Sequence, residues 1–139
     1  MRLHHVGILI KDISGSAELY SGRFGYRCKS DVIHDPVQRA YVQFLELPGD
    51  RVYLEFISPD NPESHLWSAL KKGGGVHHIC YAAADMDATI AELRRKGMTL
   101  LRSPAVAVAF QGRRVAWLMG RDRALIELVE EGPDEEISS

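Results

Sequence analysis

The chain has little cysteine, no long apolar run and no block of one charge. Cys28 and Cys80 are the only two cysteines in 139 residues. Two are too few for a disulfide framework and match no cysteine-based zinc spacing, so both are expected as reduced thiols. No apolar stretch approaches the roughly 20 residues that a membrane-spanning helix requires. The opening MRLHHVGILIKD has its histidines and Lys11 where a signal peptide needs a longer apolar region, which points to a cytoplasmic protein. The 17 basic and 19 acidic residues are interspersed and leave a formal charge of −2. With no run of Lys or Arg to neutralise phosphates, nucleic acid is not an expected partner. What is present is a hydrophobic content of 45%, and a chain of this length can bury about two thirds of its unfolded surface without staples.

The chain is organised as a repeat. Leu3-His4-His5-Val6-Gly7-Ile8 aligns with Val76-His77-His78-Ile79-Cys80-Tyr81, 73 positions later. An acidic turn follows each histidine doublet, Lys11-Asp12-Ile13 in one half and Ala84-Asp85-Met86-Asp87 in the other. Next comes an amphipathic stretch ending in glycine, SAELYSGRFGY and DATIAELRRKGM. Apolar Ile90, Leu93 and Met98 among Glu92, Arg94, Arg95 and Lys96 predict a helix, with Gly97 as its left-handed C-terminal cap and Gly25 in the same role in the first half. YVQFLELPGDRVYLEFIS then answers RRVAWLMGRDRALIELVE, each reading as two strands around a turn with Gly and Asp. The expected fold class is α+β: two tandem βαβββ modules forming one pseudo-twofold domain, with a cleft between mixed sheets. Module one covers 1–58 and module two 76–130; 59–75 is a linker with a short helix, and 131–139 a frayed polar tail. A half of about 60 residues is marginal alone, so the halves should share a core.

Side chains alternate along a strand, so parity says where a polar residue points. Val6, Ile8 and Ile10 make one apolar row, under the helices, and His5, Gly7 and Leu9 the other. His78 is placed like His5. Glu55 stands with Tyr53 and Ile57, and Glu127 with Leu125 and Val129, each an acid in an otherwise apolar strand. A buried carboxylate without a partner is costly, so each needs a cation, a donor or water. A single such His or Glu ordinarily bonds backbone or faces solvent; the same anomaly in register in both halves reads differently. If the twofold brings the halves around one cleft, His5, Glu55, His78 and Glu127 supply two nitrogen and two oxygen donors. That set suits one divalent ion, and Co, Ni, Mn, Zn, Fe and Mg all remain open. His4 and His77 fall by parity on the helix-facing side and are expected to be structural. Cys80 is expected as a small core residue and Trp67 and Trp117 as packing residues. Arg113 and Arg114 are read as strand-edge charge that is solvated or meets a substrate phosphate or carboxylate.

These residues resemble the vicinal oxygen chelate (glyoxalase/bleomycin resistance/dioxygenase) superfamily. LHHVGILIKDI, YLEFISPDNPES, GGGVHHICYAAADMDATIAELRRKGMTLL and ALIELVE look most like its methylmalonyl-CoA epimerase branch, over nearly the whole chain from Leu3 to Glu130. The resemblance implies that His5, Glu55, His78 and Glu127 bind the metal. It implies a metal-dependent carbon-acid isomerase that removes and returns the α-proton beside a metal-chelated thioester carbonyl, as in methylmalonyl-CoA. It further implies a small-molecule substrate and a homodimer. The base this branch carries in the third strand of the first half has no acidic counterpart here. Gln43 stands nearest, able to orient a substrate but not to take a proton, which leaves a ligand carboxylate such as Glu127, or a group outside these motifs, as the base. The compact SPAVAVAFQGRRVAWLMGRDR also departs from the branch's longer glycine-rich approach to the last strands, so the acyl contacts are expected to differ. Two other functions fit the same fold: a glyoxalase-I-like lyase with a similar ligand set, and a metal-free binding module of the antibiotic-resistance type, whose members generally lack the four ligands.

Overall fold

The computed structural model describes residues 1–132. Strand β1 (Arg2–Leu9) leads into helix α1 (Ile13–Phe24). Asp12 opens the helix by accepting a hydrogen bond from the Gly15 N–H at 3.0 Å, which satisfies one of the donors a helix start leaves over. Gly25, at φ 84°, ends it by donating to Ser21 O. The first half continues through β2 (Arg27–Cys28), β3 (Ile33–Asp35), β4 (Ala40–Glu46) and β5 (Tyr53–Pro59). The short α2 (Leu66–Lys71) crosses to the second half: β6 (Gly75–Ala83), α3 (Met86–Arg95), β7 (Thr99–Val106), β8 (Arg114–Met119) and β9 (Leu125–Glu130), with a 3-10 turn at Val108–Phe110. Asp85 caps α3 through the Ala88 N–H, as Asp12 caps α1. At the far end Gly97 N–H reaches Arg94 O and Met98 N–H reaches Leu93 O, a pair of bonds made possible by the positive φ of Gly97.

The strands among the described residues form one nine-stranded sheet, in the order β2-β4-β5-β1-β6-β9-β8-β7, with β3 added alongside β4. Exchanging the halves reverses this order onto itself. At its centre β1 and β6 run antiparallel. Each is parallel to the last strand of its own half, β5 or β9, and those are antiparallel to β4 and β8. The cleft expected between two sheets is therefore a single face of one sheet, because pairing β1 with β6 closes the edge that each half would otherwise leave open.

One face is covered by the helices. Ile13 and Ala17 of α1 pack on Leu45 and Phe56, and Met86 and Ile90 of α3 on Ala116, Leu118 and Leu128. Burying each such large side chain is worth about 1.5–3 kcal/mol, so this face alone anchors both helices firmly. Among the described residues the other face has no long helix. Leu66 of α2 covers Leu9, Val42 and Ile57, and Phe110 of the 3-10 turn covers Phe44, Tyr53, Cys80 and Val115. At the end of β9 the Glu131 N–H donates to Ala83 O and its carboxylate meets Arg2 at 3.0 Å. Glu131 is thus held, contrary to a tail frayed from 131; residues 133–139 lie outside the described residues. No helix among the described residues is long and apolar enough to cross a membrane.

Candidate metal centre

His5, Glu55, His78 and Glu127 stand on the adjacent strands β5, β1, β6 and β9, histidines on the inner pair and glutamates on the outer. Strands about 4.8 Å apart put the outer pair three spacings from each other, and the longer glutamate side chains reach inward across that span. One ligand atom from each of the four lies within 4.8 Å of the others. His5 Nε2 is 3.1 Å from Glu127 Oε1 and 3.4 Å from Glu55 Oε1. His78 Nε2 is 3.3 Å and 3.2 Å from the same two atoms. The two Nε2 atoms are 3.1 Å apart, and all four residues are buried.

Parity picks out the second histidine of each doublet and misplaces the first. Leu3 pairs with Tyr81 and His5 with Cys80, so His4 is an extra residue in β1; Gly7 pairs with His78 and Ile8 with Val76, so His77 is an extra residue in β6. Each bulge suspends the alternation on which the parity argument depends. Instead of facing the helices, both first histidines turn to their neighbours. His4 Nδ1 is 2.8 Å from His5 Nδ1, and His77 Nδ1 is 2.8 Å from His78 Nδ1. His4 packs on Tyr53 and Phe110, and His77 stands near Trp117.

The neighbours of the cluster repeat as well. Phe44 meets His5 edge-on at 5.2 Å and Trp117 meets His78 at 4.9 Å. Each aromatic lies across from the glutamate of its own half, Phe44 from Glu55 and Trp117 from Glu127. They too are 73 positions apart, a signal in the sequence that places both at the site, so Trp117 is more than the packing residue expected. Across β1 and β6, His5 faces Cys80 and His78 faces Gly7. A Cβ on Gly7 would overlap the His78 ring, so this close approach requires glycine. Phe110 stacks on His5 at 6.1 Å. Arg113 secures that turn: its guanidinium lies over Phe110 at 5.6 Å and its Nε donates to Glu130 O at 2.9 Å. Arg113 is therefore buried rather than at a solvated edge, and Arg114 pairs with Glu130 at 3.0 Å.

Gln43 is not at the site. In the β4–β5 register Phe44 partners Glu55 and Gln43 partners Phe56. Gln43 consequently faces α1, where its Nε2 donates to Ser30 O at 3.0 Å and it lines a hollow with Ala17, Ser21 and Tyr26. The expected role in orienting a substrate at the cluster fails for this reason. The β4 residue that lies beside Glu55 on the site face is Phe44, which has no exchangeable proton on its side chain. Trp67 is likewise partly exposed beside a hollow with Lys11 and Leu70, away from the four residues.

Burial alone would push the histidines down, yet Glu127 and Glu55 outweigh it: the His5 pKa is raised, and that of His78 is raised to about 9. Burial alone would raise the two glutamates, yet the histidines hold both below the ordinary carboxylate range. Burial, helped by His78, lowers His77 to about 4, and burial pushes the Cys80 thiol well up. By itself the cluster thus favours protonated rings beside ionised carboxylates. A divalent ion would bring two positive charges to the same two carboxylates. Ligand atoms held about 2.1 Å from one ion stand roughly 3.0 Å apart at right angles and roughly 3.4 Å apart at the tetrahedral angle. The separations of 3.1–3.4 Å fall in that range, so donor type, charge and spacing all fit a divalent metal. Trp117 also borders two adjoining hollows of about 360 and 390 Å³, which share Val37, Gln38 and Arg102; His77 lines the larger.

The model of the Glyoxalase/Bleomycin resistance protein/Dioxygenase superfamily matches residues 4–117. The chain belongs to this superfamily. Within it, the ethylmalonyl-CoA/methylmalonyl-CoA epimerase of Cereibacter sphaeroides is 30% identical over 131 residues, which cover 91% of this chain and 96% of that one. A variant of the Streptomyces coelicolor methylmalonyl-CoA epimerase, in complex with 2-nitronate-propionyl-CoA, matches in structure with a TM-score of 0.81 and 29% identity, covering 96% of this chain and 99% of that one. A methylmalonyl-CoA epimerase in complex with methylmalonyl-CoA and NH4+ also gives 0.81 at 29% identity, covering 99% of this chain and 98% of that one. The α+β fold of these superfamily members is the one expected from the repeat.

Proposed function

We propose that the protein is a divalent-metal-dependent epimerase of a methylmalonyl-CoA-type thioester. The observation that carries this reading is the buried convergence of His5, Glu55, His78 and Glu127, in a chain that aligns over 91% of its length with an epimerase of such thioesters. A divalent ion held by these four residues would supply Lewis-acid stabilisation for the charge that develops on a carbonyl oxygen when the neighbouring α-proton leaves. The side chains supply the rest. Phe44, Phe110 and Trp117 pack around the histidines and keep water from the cluster, which strengthens every electrostatic interaction in it. With Phe44 on the β4 position, proton transfer falls to Glu127 and Glu55. Each turns Oε1 to the histidines, which leaves Oε2 as the atom to take or return a proton. The two carboxylates come from β9 and β5, on either side of the histidine pair. That arrangement suits removal of a proton from one face of a planar carbon and its return to the other, the requirement for inversion. The hollows beside Trp117, with Arg102 at their margin, are where the thioester substrate would approach. A homodimer and a cytoplasmic setting belong to the same reading; exposed Leu101 and Val106 on the edge strand β7 support the first and two free cysteines the second.

The test is proton exchange. Protein loaded in turn with Co, Ni, Mn and Zn is incubated in deuterated solvent with one epimer of methylmalonyl-CoA. Deuterium should enter at the α-carbon as the other epimer appears, and a chelator should stop both. No exchange with any of these metals would sink the proposal.

A further inference from the structure

A neutral imidazole carries a single ring proton, so a histidine that gives Nε2 to a cation carries that proton on Nδ1 and must donate it. A buried donor without an acceptor costs about 1–3 kcal/mol, and metal-bound histidines usually satisfy theirs with a carboxylate or a backbone carbonyl. In this protein the Nδ1 of His5 and the Nδ1 of His78 each lie 2.8 Å from the Nδ1 of the preceding histidine. Two ring nitrogens at that distance share one proton: one donates and the other accepts.

Adjacent residues in a regular strand point to opposite faces and cannot make this contact. Two bulges make it, one in β1 at His4 and one in β6 at His77. A bulge interrupts a ladder, and both interruptions fall in the central strand pair, immediately beside a candidate ligand. The surroundings of the two contacts differ, since His4 is enclosed by Tyr53 and Phe110 while His77 is half-buried beside Trp117. The Nδ1 pairing is what they share, so packing alone does not account for an imidazole at both places.

We infer that His4 and His77 are positioning residues of the metal centre: the Nδ1 of each accepts the Nδ1 proton of the histidine after it, and so aims that histidine's Nε2 at the cluster. The inference rests on the metal reading given above, because a bound cation is what fixes the direction of the proton. His4 and His77 then carry their own protons on Nε2. The doublets, rather than single histidines, are the functional units of the repeat.

The experiment compares acceptors. In His77→Asn, and separately in His4→Asn, the amide oxygen takes the place of Nδ1, whereas in His77→Leu and His4→Leu bulk remains without an acceptor. Zinc dissociation constants, measured by competition with a chelating dye, should rise about 10- to 100-fold in the Leu variants and stay within about threefold of wild type in the Asn variants. Should a Leu variant fail to fold, the Gln variant, whose acceptor lies one bond further out, should show the same weakening. In the zinc-loaded wild type, nitrogen NMR should find the proton of His78 on Nδ1 and that of His77 on Nε2. Leu or Gln variants that bind as tightly as wild type, Asn variants as weak as Leu, or the opposite tautomers would overturn the inference while leaving the metal centre standing. A wild-type protein that binds no divalent metal would overturn the centre itself, and this inference with it.

Discussion

The two halves of the sheet each present a histidine, a glutamate and an aromatic side chain to the cluster, but they differ in what surrounds these. His5 is enclosed by Phe44, Phe110 and His4, with the Cys80 thiol opposite; all of these are buried. His78 lies over Gly7, which has no side chain, and is covered by Trp117 at the margin of two hollows, with His77 only half-buried. The comparison teaches that one repeat can divide two tasks. The first half closes the site, and the second brings it to a surface that a substrate can reach.

The strongest way to break the equivalence of the halves is to remove one carboxylate at a time. Glu55→Ala and Glu127→Ala each leave two raised, buried imidazoles with one partner instead of two. Breaking a buried ion pair in this way costs about 3–5 kcal/mol, and urea unfolding of the metal-free variants should show similar losses for both. A difference well beyond 1 kcal/mol, roughly the scatter of such comparisons, would mean that the twofold does not extend to energetics. The milder Glu55→Gln and Glu127→Gln separate the halves by chemistry. If one carboxylate serves each face of the substrate, each variant should retain α-deuterium exchange from one epimer and lose it from the other. Loss of both from a single variant would assign the whole proton transfer to that residue.

A second comparison sets Gly7→Ala against Cys80→Ala. The added methyl overlaps the ring of His78 and displaces it, so zinc binding should weaken by more than the roughly 100-fold that an outer-shell change costs. Cys80→Ala removes only a neutral thiol opposite His5 and should change affinity by no more than about tenfold, the lower end of such outer-shell effects. Equal losses from the two would show that the Gly7 contact is not what holds His78 in place.

Setting one half beside the other also explains what the sequence discloses and what it conceals. Whatever repeats between the halves is open to reading: the doublets, the capping Asp12 and Asp85, and Phe44 and Trp117 at an offset of 73, and Glu55 and Glu127 at 72. Whatever depends on the partner strand is not. Nothing in LHHVGI or VHHICY says that the first histidine is an unpaired extra residue, because a bulge exists only relative to the strand across from it. The misplacement of Gln43 has the same origin. Whether Gln43 or Phe44 stands beside Glu55 depends on how many residues the connection from Glu46 to Tyr53 takes out of the ladder, and one residue of slip exchanges the two faces. Nor does the pattern reveal that two half-sheets fuse into one, since β1 and β6 have the same apolar alternation whether they pair with each other or not.

The pH dependence sharpens the comparison between the protein alone and the protein with metal. The raised pKa of His78 stabilises the metal-free fold fully below its unfolded value of 6.5, and that contribution is lost as pH rises toward 9. The lowered pKa values of Glu55 and Glu127 contribute above 4.5 and are lost as pH falls below it. In the presence of a chelator the melting temperature should therefore be highest between about pH 4.5 and 6.5 and decline toward pH 9. With saturating metal the trend above 6.5 should reverse, because protons cease to compete for the histidines. Parallel curves with and without metal would mean that the ion does not bind at these imidazoles.

The smallest effect tests whether the twofold reaches the backbone. Asp12 and Asp85 cap their helices with nearly the same geometry, φ −126° and ψ 99° against φ −130° and ψ 99°, and each carboxylate accepts from the N–H three residues on. Neither touches the cluster, so their removal should alter stability without altering metal affinity. Asp12→Ala and Asp85→Ala should each cost about 1 kcal/mol, measured by urea unfolding, with zinc dissociation constants unchanged. If one of them weakened zinc binding, the helix above that half would be setting the position of its ligands. The division between a helix-covered face that stabilises the sheet and an opposite face that carries the chemistry would then not hold for that half.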